Sequence, residues 1–131
     1  MADHDVEGHL RALLRVLMSD EWRDFWDELG CQIESFESLG IASNTPDRRL
    51  WRLCQDRDII LITGNRNKEG AESLEATIEQ FSTEASLPVL TISEPHRIFT
   101  NHEYTYRVAV RLLEYLNDVD NLRGTGRLFL P

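Results

Sequence analysis

No stretch of this sequence approaches the ~20 consecutive apolar residues that a bilayer-spanning helix requires, so no membrane-embedded role is expected. The opening Met1-Ala2-Asp3-His4-Asp5 lacks a basic region followed by an apolar run, so it does not read as a secretory signal, and a cytoplasmic location is expected. Cysteine is scarce: Cys31 and Cys54 stand 23 positions apart, outside any C-x-x-C spacing. With no third sulfur ligand, zinc sites built from four cysteines, or from three cysteines and a histidine, are excluded. Both thiols lie in apolar stretches and are expected to be reduced core residues. Positive charge is also short, 14 Lys and Arg against 23 Asp and Glu, which leaves a formal net charge of −9. Such an excess opposes general attraction to phosphate backbones or anionic membranes. Any nucleic-acid contact would need a local basic patch or a bound cation. Several motifs are missing as well: no G-x-S-x-G elbow, no P-loop and no G-x-G-x-x-G occurs. His4, His9, His96 and His102 show no i, i+4 pair and no H-E-x-x-H spacing, so none is expected to ligate a metal or to catalyse.

What the chain has is a regular alternation of helical and strand signals over 131 residues, the length of one domain. Leu10, Leu13, Leu14, Leu17 and Met18 form one helical stripe, and Trp22, Phe25, Trp26 and Leu29 a second, with Ser19 as a candidate cap between them and Gly30 as a stop. Cys31 to Phe36 reads as a short strand, and Thr45-Pro46-Asp47 as a helix opening with Leu50, Leu53 and Cys54 on its buried face. Ile59 to Thr63 is apolar without alternation, the mark of a strand covered on both faces. Gly70 precedes a helix bearing Leu74, Ile78 and Phe81, Leu87 to Ser93 is a further strand, Tyr104 to Asn117 a long helix, and Arg127 to Leu130 a last strand. This order predicts a three-layer α/β/α sandwich around a short, mainly parallel sheet in a single domain spanning 1–131. Only Met1 and Ala2 precede Asp3, so the first strand is expected to be either absent or truncated, and Asp3-His4-Asp5, which reads as the end of a strand, favours truncation. The aromatic load of Trp22, Phe25 and Trp26 belongs either to the core or to a homodimer interface.

In open parallel sheets, ligands bind beyond the carboxyl ends of the strands. That edge should gather Asp3, Asp5, Asp47, the polar turn Thr63-Gly64-Asn65-Arg66-Asn67, and Ser93-Glu94. Converging carboxylates suit Mg²⁺ or Mn²⁺, hard cations that take oxygen ligands, and a bound ion can stabilise charge in phosphodiester hydrolysis. Asn65 and Asn67 can contribute amide oxygens but no charge, and Glu72 and Glu75 can extend the acidic set. Alternatively, Asp47 and the two glutamates only favour the positive ends of helix dipoles, and Gly64-Asn65 is only a turn. Arg66 and Lys68 bring positive charge to the edge, and Arg48, Arg49 and Arg52 form a second basic cluster. These residues either approach a phosphate backbone or are a solvated helix face.

Taken in order, several pieces resemble a PIN-like domain of the compact kind found in small bacterial proteins. They are Asp3-His4-Asp5 before the first helix, the Leu39-Gly40 loop leading to Asp47, the strand and turn from Ile59 to Asn67, and the closing segment Asn121 to Pro131. The resemblance implies an Mg²⁺- or Mn²⁺-dependent ribonuclease related to VapC-type toxins, with RNA as substrate and a cognate antitoxin or other protein as partner. It places Asp3 as the first metal-binding aspartate with Asp5 as a substitute, and Asp47 as the helix-borne acid. Asn65 falls where many relatives carry an aspartate, which makes Asp3, Asp47 and Asn65 the implied catalytic set. Asn67 matches a further acid, Glu72 or Glu75 is a replacement ligand, and Arg48, Arg66 and Lys68 would meet the nucleic acid. Amides in two acidic positions also imply an alternative, a catalytically impaired module that binds RNA or a protein.

Overall fold

The computed structural model describes residues 1–64 and 73–131. Three parallel strands, β1 (Ile62–Thr63), β2 (Val89–Ile92) and β3 (Arg127–Leu130), form a sheet in the order β1-β2-β3. Ile62 lies opposite Leu90, and Leu90 opposite Leu128. Ala2 makes a further parallel bridge to Ile62 on the other side of β1. There the Ile62 N–H donates to the Met1 carbonyl and the Asp3 N–H to the Ile62 carbonyl, both at 2.8 Å. The opening residues thus join the sheet, and Asp3 is delivered to the carboxyl end of β1.

Helices cover both faces: α1 (Glu7–Leu17), α2 (Arg23–Leu29), α3 (Phe36–Leu39), α4 (Asp47–Asp56), α5 (Leu74–Phe81) and α6 (His102–Asn117). Successive strand residues point to opposite faces, and the burial follows that rule. Ile62, Leu90, Ile92 and Leu130 pack with Leu13 and Leu17 of α1, Trp26 of α2 and Val108 and Leu112 of α6. Leu61 and Val89 pack the other way, with Phe36 of α3, Leu50, Trp51 and Cys54 of α4, and Leu74 and Ile78 of α5. Two buried faces explain why Ile59 to Thr63 shows no polar alternation. No helix among the described residues is long and apolar enough to cross a membrane.

The structure departs from the sequence reading at several places. Cys31 to Phe36 is not a strand. Instead Ser35 and Ser38 cap one another reciprocally, and this capping box starts α3 at Phe36. Ser19 and Thr45 do not cap the helices that follow them. Their hydroxyls turn back to the carbonyls of Val16 and Ala42, and Trp22 and Pro46 occupy the cap positions. On α4 the buried trio is Leu50, Trp51 and Cys54, with Leu53 only half-buried. The ladder of β1 is also shorter than its apolar run, because the chain leaves α4 through Asp58 at φ 54° and reaches the sheet only at Ile62. Gly30 does end α2 in a left-handed conformation, and β3 spans the expected residues. Gly70, expected before α5, lies outside the described residues.

The two thiols differ. Cys54 is buried against Met1, its Sγ 3.8 Å from the thioether sulfur, and burial pushes its pKa up to about 11. Cys31 is exposed, contrary to the expectation of a core residue, although partial burial still raises its pKa. Because the thiolate is the reactive form, a disulfide reagent at mildly alkaline pH should modify Cys31 alone in the native protein and both thiols in denaturant. Release of two equivalents without denaturant would contradict this placement. The aromatic load divides in the same way. Trp26 is core, whereas Phe25 is 57% exposed and lies at a tilt against Trp22, which also meets Tyr106.

Candidate metal-binding edge

The carboxyl end of the sheet is where three connections meet. Gly64, just past β1, sits so tightly that an added Cβ would lie 3.1 Å from the Val6 Cγ1 and 3.0 Å from the Pro95 Cγ. Val6 ends the turn after the Ala2 bridge, and Pro95 opens the 3-10 turn after β2. The polar turn therefore begins between the connections that carry Asp3 and Glu94, as expected for a parallel sheet.

Asp3 caps the 3-10 turn His4–Val6, and its Oδ1 accepts the His4 N–H at 2.7 Å. Its Oδ2 lies 3.4 Å from the Thr63 hydroxyl, which donates to it from the end of β1. Asp47 reaches the same edge by helix geometry. Residues 47, 50, 51 and 54 share one stripe of α4, so Asp47 continues the sheet-facing line of Leu50, Trp51 and Cys54. As the first residue of α4, it also stands at the end nearest the carboxyl edge.

Electrostatics link the two carboxylates. Burial raises the Asp3 pKa above its ordinary 3.8, and repulsion from Asp47 and then Asp5 adds to the rise. The His4 N–H and the Thr63 hydroxyl oppose it, since both stabilise the charged form. Asp5 itself is exposed. The edge thus holds a half-buried, hydrogen-bonded carboxylate repelled by Asp47 and Asp5. A cation placed there would relieve that repulsion.

Other residues expected at the edge are engaged elsewhere. Glu75 faces Arg127 at 3.2 Å rather than extending the acidic set. Arg127 also donates to the Thr91 hydroxyl at 2.7 Å on the same sheet face. Glu94 pairs with Arg97 at 3.0 Å, and its backbone N–H donates to the Tyr104 hydroxyl. Asn65, Arg66, Asn67, Lys68 and Glu72 lie outside the described residues. Among the described residues no group of three His, Cys, Asp or Glu side chains is placed to hold a metal. Asp3 and Asp47 are the described carboxylates of this edge, and oxygen donors of that kind suit hard cations such as Mg²⁺.

Sequence reasoning overlooks two participants. Thr63 reads as part of a turn, yet it is fully buried and positions Asp3. Its place at the end of an apolar strand is the available signal. Phe81 reads only as part of the buried face of α5, but it is half-buried beneath arginines of α4. Compared with known proteins, the chain matches no family model, no curated protein and no solved structure.

Proposed function

We propose that this chain is a PIN-like, divalent-metal-dependent ribonuclease that hydrolyses RNA phosphodiesters. The observation that carries the reading is the half-buried Asp3 carboxylate at the carboxyl edge of a parallel sheet, held by the Thr63 hydroxyl and the His4 N–H and repelled by Asp47 of a separate element. Mg²⁺ or Mn²⁺ bound there would stabilise the negative charge that develops on the phosphodiester. Asp3 and Asp47 would hold the ion, with Asp5, whose charge also acts on Asp3, as the substitute for Asp3. Thr63 and the His4 N–H fix the Asp3 carboxylate in one orientation, so little ordering remains at the moment of binding. Asn65, Asn67 and Glu72 complete the ligand set in this reading, and Arg48, Arg66 and Lys68 meet the RNA.

A second reading is a catalytically impaired PIN-like module that binds RNA or a protein partner such as an antitoxin. The amides of Asn65 and Asn67, in place of carboxylates, favour it. In either reading the exposed Phe25, beside Trp22 and Tyr106, is the surface for a protein partner or a second copy of the chain.

Incubation with labelled single-stranded RNA separates the two readings. The ribonuclease reading expects cleavage with Mg²⁺ or Mn²⁺, none in EDTA, and a loss on the order of 100-fold in Asp47→Asn. The magnitude follows from Lewis-acid stabilisation of several kcal/mol, at about 1.4 kcal/mol per tenfold. No cleavage by folded protein with either ion would leave the binding module.

A further inference from the structure

A cavity of about 350 Å³ opens beside the entry to β1, and neither Asp3 nor Asp47 lines it. Its apolar walls come from Leu14 of α1, Trp26 of α2, Leu116 of α6, and Ile59 and Ile60 ahead of β1. We propose that this cavity binds a small aliphatic carboxylate, with the chain among these side chains and the carboxylate on Arg57. The inference goes beyond the ribonuclease reading and does not depend on it.

Three observations point to that ligand. The first is size and lining. Protein interiors leave few voids larger than one water molecule, yet this space would hold roughly a dozen waters at about 30 Å³ each. It falls in the range of ~300–1,000 Å³ usual for small-molecule pockets. Water gains little from walls of leucine, isoleucine and tryptophan, so an aliphatic chain is favoured by each methylene it buries there.

The second is charge. Three charged side chains line the cavity, Glu34, Arg57 and Asp58. The Glu34 carboxylate accepts the Ser38 hydroxyl at 2.7 Å, and Asp58 faces Arg123 at 4.0 Å. Both acids are thus engaged. Arg57 is exposed and forms no ion pair among the described residues. Its guanidinium can offer a carboxylate two parallel N–H donors. A phosphate head, with its second charge, would meet more repulsion from Glu34 and Asp58.

The third is access. The connection from Gly30 to Glu34 also lines the cavity. Among the described residues, Cys31, Gln32, Ile33 and Glu34 make no backbone hydrogen bond to another element. No sheet ladder holds that wall against an entering chain, and Ile33, 46% exposed, is an apolar side chain at its rim.

The test is isothermal titration of the whole protein with octanoate, octanol and octylammonium, each kept below the concentration at which it aggregates. Octanoate is expected to bind saturably at one site, at least ~10-fold more tightly than octanol, the worth of one charge-assisted hydrogen bond. Hexanoate should bind more weakly, by about fourfold for each methylene lost. Arg57→Gln should weaken octanoate ~10-fold and leave octanol unchanged. Leu116→Trp, which fills the space, should abolish binding, and Leu14→Phe carries the same comparison if that variant does not fold. At saturation octanoate should also protect Cys31, which lines the cavity, from the disulfide reagent. No saturable binding of octanoate, equal or tighter binding of octanol or octylammonium, or affinity unchanged in Arg57→Gln or in the filling variant would overturn the proposal. Cys31 left unprotected at saturation would place the ligand elsewhere and overturn it too.

Discussion

Asp3→Asn is expected to abolish RNA cleavage and, at neutral pH, to make the fold more stable. The carboxylate at this position is partly desolvated and repelled by Asp47 and Asp5, so its folded-state pKa lies above the ordinary 3.8. A carboxyl group with a raised folded pKa costs no stability below its unfolded pKa. The penalty grows as pH rises through the window between the two values and is complete above it. Removing the charge should therefore raise the melting temperature at pH 7 in the absence of metal, and change it little near pH 3. Asparagine keeps the oxygen that caps the His4 turn, so the local structure should survive. Activity should fall on the order of 100-fold or more, for the same reason as at Asp47. Thermal melts of both proteins at the two pH values, with cleavage assays alongside, test the pair of effects. A variant less stable at pH 7 than the parent would show that Asp3 serves the fold and not a ligand.

Trp51→Ala should produce the largest loss of stability. Trp51 is only 2% exposed and fills the space between α4, α5 and the sheet, among Leu50, Leu61, Leu74 and Val89. Truncating a buried aromatic residue to alanine costs about 3–5 kcal/mol, because the vacated volume closes only in part. Against a total stability of about 5–15 kcal/mol, that should lower the melting temperature by ~10 °C or more. Denaturant unfolding followed by circular dichroism gives the difference directly. A cost below about 1 kcal/mol would mean that the side chain is not enclosed as described. Phe25→Ala is the internal comparison, since at 57% exposure it leaves no cavity.

Both predictions depend on a helix whose orientation the sequence disclosed only in part. Thr45-Pro46-Asp47 announces the start of α4, but three-residue spacing alone does not choose between Trp51 and Leu53 as the residue that faces inward. Burial decides it, because the stripe 47, 50, 51, 54 is the one that meets Leu61 and Val89. The same choice turns Asp47 towards Asp3 and Arg52 away from it. Cys31 to Phe36 shows a different limit. Its apolar residues suit a strand, but a strand needs a partner, whereas the reciprocal Ser35–Ser38 cap forms locally.

The alternation of helix and strand, the double burial of Ile59 to Thr63, the stop at Gly30 and the last strand Arg127 to Leu130 were all legible in the residues alone. Each follows from periodicity or backbone preference within a few residues. Long-range packing was needed to bring the Thr63 hydroxyl to Asp3 and the charge of Asp47 to bear on it, to turn Glu75 to Arg127 and not to the acidic edge, and to lay Phe81 under arginines of another helix. Those contacts join residues far apart in the chain. Sheet register and helix rotation set them, and both are fixed by which side chains the two cores can enclose.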